Sequence, residues 1–434
     1  MQSRAQVARS NEHANDIFLA LYIDLGGIHH RCISCLVRPM IALTNRTRVV
    51  IALGSAQTLA WGSTYYLPAI LAEPMARELG VSTGLVFAAF SAALIVAAVF
   101  GPLAGRRIDL FGGRDVLTVS SLVFAAGLAT LGAAQGAGML FAGWLVIGIG
   151  MAMGLYEAAF STLAGIYGRD ARGAITGITL LAGLASTICW PISAHLETEV
   201  GWRMACFFWA ATQLAIGLPL NRFLVPVGTQ PILSATSEAA NGALDGSIGL
   251  QNRAMPLLAL VFAVTWFTST AMAAHLPRLL HEAGASAAVA VAAAALVGPA
   301  QVAGRLLEFG VLQRFHPLLS ARLAAIAHPL GALAIIVFGA PAAVVFTVLH
   351  GAGNGILTIA KGTLPLAIFG PSGYGLRQGI LMAPARFGQA GAPFLFAVLM
   401  ERFGTSALLL STVLGLAALA ALLVLTPSST AERV

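Results

Sequence analysis

Apolar residues in this chain are gathered into long unbroken runs, separated by short stretches that hold most of the charge. The runs lie near 49–72, 84–104, 116–134, 139–166, 173–195, 202–224, 254–275, 285–307, 322–340, 342–368, 377–399 and 405–426. Each approaches or exceeds the roughly 20 residues a helix needs to cross about 30 Å of hydrocarbon. A bilayer offers no hydrogen bonds to the backbone, so each run is expected to be helical. The pattern predicts an all-α membrane protein with twelve transmembrane helices.

The longest polar gap between runs is 225–253, which holds Thr229, Gln230, Pro231, Ser234, Glu238, Asn241 and Asp245. It divides the chain into an N-terminal extension (1–45), a first six-helix bundle (46–224), a linker (225–253), a second bundle (254–426) and a short tail (427–434). The linker has too little apolar surface to fold alone. Composition agrees with a bilayer as solvent, since 58% of residues are hydrophobic and 9% charged.

Charge adds the orientation. Eighteen of the 24 Lys and Arg lie in the tails, in the loops after even-numbered helices or at their edges, whereas the opposite side carries Arg77, Arg203, Arg278 and Arg402. By the positive-inside rule both termini are expected in the cytoplasm, in a bacterial-type inner membrane. The net charge of +7 reports this topology, and no nucleic-acid partner is needed to explain it.

The two halves repeat. Gly101-Pro102, Gly105-Arg106, Asp109 and Gly112 close the second run, and Gly298-Pro299, Gly304-Arg305, Glu308 and Gly310 close the eighth. Gly177-Ile178 precedes Pro191 by the interval that separates Gly379-Ile380 from Pro393. Two echoes in the same order predict duplication. In the loop after the second run, Gly105, Asp109, Gly112 and Arg114 resemble the signature of the major facilitator superfamily, with Leu110 and Asp115 departing from it. The resemblance covers about 46–426. It implies two six-helix halves around a central cavity, a gating role for that loop, and a cavity lined by the first, fourth, seventh and tenth helices.

Polar side chains inside apolar helices are expensive and mark candidate sites. Glu157 is the acid set well inside a run, and Arg386 sits nine residues into the eleventh, about 14 Å deep at 1.5 Å per residue. His350, Asn354 and Lys361 fall within about 40° of one another on the tenth helix. Gln57, Trp61, Thr64 and Tyr65 form a stripe on the first. The resemblance turns both stripes and Glu157 inward and adds Trp266 and Thr270. The bland readings are a structural ion pair for Glu157 and Arg386, snorkelling for Lys361, a satisfied core histidine for His350, and packing or interface roles for the aromatics.

No phosphate-cradling loop, paired-histidine zinc helix or Gly-x-Ser-x-Gly elbow occurs, so neither an ATP-driven pump nor an enzyme is expected. Cys32-x-x-Cys35 after His29-His30 could suggest a metal clamp. The preferred reading is a dispensable or untranslated segment ahead of Met40, with no metal and no cofactor. Cys189 and Cys206 read as small apolar residues. The expectation is a monomeric secondary transporter of a small organic anion such as a monocarboxylate, working by alternating access, with protons as the candidate coupling ion and Glu157 as their carrier. Efflux of hydrophobic drugs or metalloids and a transporter-fold sensor are the alternatives.

Overall fold

Among the described residues, twelve helices cross the molecule, and each follows an apolar run. The computed structural model describes residues 45–227 and 244–426. α1 begins as Asn45–Ala60, passes a π turn at Trp61–Tyr65 and continues as Pro68–Leu79. α2 is Thr83–Phe111, α3 is Gly113–Gly132, and α4 comes in two pieces, Ala137–Gly154 and Tyr156–Tyr167. α5 joins Ala171–Ala182 to the first part of Ala185–Thr212. That stretch turns sharply at Gly201 (φ 82°) to start α6, which runs on through π turns at Gln213–Gly217 and Leu220–Leu224. In the second half α7 is Leu244–Glu282, α8 joins Ala287–Ala295 to Val297–Gly310, and α9 is Pro317–Phe338. α10 is Ala343–Phe369, α11 is Tyr374–Phe403 and α12 is Leu408–Val424.

Among the described residues, eight continuous stretches are long and apolar enough to span a membrane. Two are compound: Ala137–Leu224 carries three crossings and Tyr374–Val424 two. The interrupted α1 completes the twelve. α7 starts at Leu244, ahead of the apolar run expected from 254, and its stretch apolar enough to span begins at Arg253. The hydrocarbon requirement sets where a helix must be apolar, and it does not set where the helix may begin. The 1–44 extension, residues 228–243 and the 427–434 tail, with Cys32, Cys35, His29 and His30, lie outside the described residues.

The duplication appears as repeated neighbours. α2 packs on α4 and α3 on α4 and α6; α8 packs on α10 and α9 on α10 and α12. The halves meet along α2 with α11 and along α5 with α8. Large apolar side chains such as Leu103, Phe223, Phe338, Phe394 and Val413 point outward, as lipid-facing residues must.

Candidate functional site

Breaks in two helices create the centre. α4 is interrupted at Leu155, whose backbone is extended (φ −86°, ψ −169°). The break frees the Gly154 carbonyl, which accepts from Gln57 Nε2 at 2.7 Å. It also puts Glu157 in the first turn of the new helix, where the positive end of the helix favours a carboxylate. In α1 the π turn is closed by Tyr66 N–H donating to the Trp61 carbonyl at 3.0 Å. Such bulges rotate side chains out of α-helical register. Trp61 and Tyr65 belong to this turn, as does Ser63, which accepts from Gln213 Nε2 at 2.9 Å. Thr64 bonds back to the Ala60 carbonyl.

Arg386 joins the halves. Its Nη2 donates to both Glu157 oxygens, at 3.1 and 3.0 Å, and its Nη1 donates to Gln389 Oε1 at 3.2 Å. Gln389 Nε2 in turn donates to the Tyr65 hydroxyl at 2.7 Å. Counted from the end where α1 starts, here called the near end, Lys361, Glu157 and Arg386 lie about 12 to 18 Å along their helices. The structure therefore brings Arg386 and Glu157 together as an ion pair, the bland reading of both.

Lys361 differs. It is 4% exposed, and its Nζ has no hydrogen-bond partner. It lies 3.7 Å from the centre of the Trp266 ring. Trp266 stacks on Trp61 at 6.0 Å with an interplanar angle of 9°, and Tyr156 lies 4.9 Å from Trp61. The indole N–H groups of Trp61 and Trp266 are buried without partners. Arg386 Cζ sits 5.9 and 5.6 Å from these two rings, within reach of a cation–π contact. Aromatic faces thus bound two cations and one acid.

The α10 stripe divides. Asn354 donates to Ser269 on α7 at 3.0 Å, while His350 turns into the second bundle and meets His328 on α9. Thr270 is buried on α7 near the aromatic group. Sequence reasoning placed Arg305 among the charges of the near end, yet it is 5% exposed, and its Nε and Nη1 have no partners. Its guanidinium lies where a side chain on Gly183 of α5 would have to go. Arg305 belongs to the repeated Gly-Arg element, but nothing in that pattern gives its depth. Tyr156, Gln389 and His328 were also missed.

At the near end two contacts hold the halves. Asp109 accepts from the backbone N–H groups of Gly375 and Leu376, both at 2.8 Å, capping α11. Charged caps of this kind are strong hydrogen bonds. The cap is reachable because Gly105 and Gly375 touch backbone to backbone, and a Cβ on either would collide with the other. Gly112 (φ 81°) ends α2 in the left-handed region that favours glycine. Arg114 lies 3.6 Å from Asp115, which Arg222 engages at 2.7 Å. The second contact is Arg172 with Glu308 at 2.9 Å, with further bonds from Arg172 to the Phe315 and Leu312 carbonyls. No cluster of metal-ligating side chains occurs among the described residues.

Two six-helix halves that meet around buried charge at mid-depth define a polytopic membrane transporter. The chain belongs to the major facilitator superfamily, whose family profile matches residues 53–341. It is similar to a probable efflux pump of Aspergillus flavus, mfs2, at 28% identity over 163 residues, covering 37% of this chain and 38% of the relative. It is also similar to an uncharacterized MFS-type transporter of Mycobacterium tuberculosis, at 29% over 159 residues, covering 36% and 27%. The matches thus span well under half the length of these curated relatives. Among solved structures, the proton:xylose symporter XylE shares the fold at a TM-score of 0.69 and 15% identity, covering 88% of this chain and 96% of that one. The human organic anion transporter MFSD10 does so at 0.63 and 16%, covering 88% and 100%. These likenesses show the fold alone.

Proposed function

We propose that this chain is a secondary transporter that moves a small organic anion by alternating access between its two halves. The observation that carries the reading is Lys361, buried against Trp266 with no hydrogen-bond partner beside an already paired Glu157 and Arg386. A buried cation without a counter-charge is strongly unfavourable, and an entering carboxylate supplies one. Arg305, also buried with unpartnered N–H groups, adds to the positive excess. Aromatic faces beside the cations suit the apolar body of such an anion. The arginine-rich side is cytoplasmic in this reading, so both near-end contacts close the cytoplasmic face.

The test is uptake of radiolabelled short-chain and aromatic monocarboxylates into proteoliposomes. Wild-type uptake that falls at least tenfold in Lys361→Gln supports the reading; uptake of these anions no better than protein-free vesicles overturns it.

Efflux of a hydrophobic compound is the second reading, favoured by the stacked Trp61 and Trp266 with Tyr156 alongside. The name of the Aspergillus relative points the same way. Extrusion of a hydrophobic fluorescent dye in everted vesicles that is insensitive to Lys361→Gln decides for it.

A further inference from the structure

A second buried polar group lies inside the second bundle, apart from Lys361 and the Glu157–Arg386 pair. His328 Nδ1 and His350 Nδ1 are 3.0 Å apart, and His328 Nε2 is 3.0 Å from Ser411 Oγ on α12. The Ser411 hydroxyl is also placed to donate to the Leu408 carbonyl at 3.0 Å, which accepts from Thr412 as well. With that proton on the carbonyl, Ser411 accepts from His328, and His328 is the Nε2–H tautomer. His328 Nδ1 is then an acceptor, so His350 donates through Nδ1–H. The neutral His350 keeps one lone pair, at Nε2, with no protein partner among the described residues.

That histidine lines a cavity of about 40 Å³ among α7, α9, α10 and α12, with Thr268, Asn354 and His328. The Thr268 hydroxyl is buried there without a partner. The rest of the lining is mostly apolar, but these polar groups lie together in it, and about 10–15 Å³ beside them is room enough for a water. The site thus combines a free imidazole base, a free hydroxyl and room for water.

We propose that His350 is a proton-loading site of the second half, taking up through Nε2 the proton coupled to transport; this rests on the transporter reading above. Uptake forms one N–H bond at Nε2 with a proton delivered by cavity water, and release returns it to that water. The Nδ1–H bridge to His328 stays intact and spreads the imidazolium charge over both rings. Glu157 is occupied at both oxygens by Arg386 and is not free to serve.

The surrounding ionisable groups are committed or belong to the central site. α12 carries none. On α9, Arg322 donates to the Leu422 and Leu425 carbonyls. On α7 from Arg253 onward, His275 meets the Pro393 carbonyl, His281 the Ala285 carbonyl, and Arg278 pairs with Glu282. α8 contributes Arg305 and Glu308, and α10 itself Lys361. α11 brings Tyr374, Arg377, Arg386, Glu401 and Arg402, and from the first half come Tyr156, Glu157 and Arg172. None hydrogen-bonds either histidine.

The test uses the full chain, labelled with ¹⁵N-histidine in lipid nanodiscs, followed by NMR from pH 8.5 to 5. The expected result is an Nδ1–H His350 joined to an Nε2–H His328, with Nε2 of His350 gaining a proton as the pH falls. Assignment comes from His350→Asn and His328→Gln. A His350 Nε2 that stays unprotonated to pH 5 overturns the proposal, and this readout needs only the wild-type protein to fold. In pyranine-loaded proteoliposomes given benzoate, His350→Asn is expected to cut coupled proton entry at least tenfold while benzoate counterflow continues. Proton entry retained in His350→Asn, or retained there and lost in Lys361→Gln, overturns it. If wild type moves no benzoate the anion reading fails, and the NMR result still decides the histidine site.

Discussion

Arg386 on α11 grips both carboxylate oxygens of Glu157 on α4 through a single nitrogen, at 3.1 and 3.0 Å, across the boundary between the halves. Removing one partner leaves the other charge buried and uncompensated, at a cost of about 3–5 kcal/mol. Arg386→Ala and Glu157→Ala are each expected to lower thermal stability in detergent. The double variant should recover most of that loss. A double-mutant melting cycle with no coupling between the two positions contradicts the pairing.

Lys361 calls for the opposite sign. Its amine has no hydrogen-bond partner in the protein, so Lys361→Gln should leave melting temperature unchanged or raise it, while anion transport drops at least tenfold. Lys361→Arg keeps charge but is bulkier and planar, and partial transport is expected from it. Parallel melting and flux measurements separate this behaviour from simple misfolding, in which both would fall.

The backbone contact between Gly105 and Gly375 leaves no room for a side chain. Gly105→Val should keep the near end from closing, shifting the population toward states open there. Spin labels on the near-end loops of the two halves are expected to report longer distances by pulsed EPR, and transport should fall to background. Unchanged distances in a folded variant contradict the contact.

Asp109→Ala and Glu308→Ala remove the two polar ties between the halves at that end. Each is expected to raise the rate of thiol labelling at a cysteine introduced beneath the ties. Their combination should exceed either alone, because the ties lie on different seams. Equal labelling in all three variants argues against a closing role.

The fold was legible because hydrocarbon thickness sets the length of every span and duplication repeats its punctuation. The candidate site was legible one residue at a time. Glu157 and Arg386 each stand out as ionisable groups in apolar helix, but they are 229 residues apart, and nothing local says that they meet. The break at Leu155 follows Gly154, one of several glycines in this run and no different from them in the sequence, although it decides where Glu157 points. His350 shares a stripe with Lys361 by angle alone; the partner that turns it inward, His328, sits on a different helix beside Pro329 with no periodic signal of its own.

The two seams between the halves are made of unlike materials. Along α2 and α11, Gly101 faces Gly379 and Gly105 faces Gly375, so bare backbones touch, with the Asp109 carboxylate capping the near end of the seam on two N–H groups. Along α5 and α8 the join is a guanidinium on a carboxylate. The first can roll like a knuckle on its glycines, rehydrating the Asp109 carboxylate as its near end opens. The second must wet a cation and an anion before it parts, so ionic strength should bear more on that side of the rocking motion than on the other.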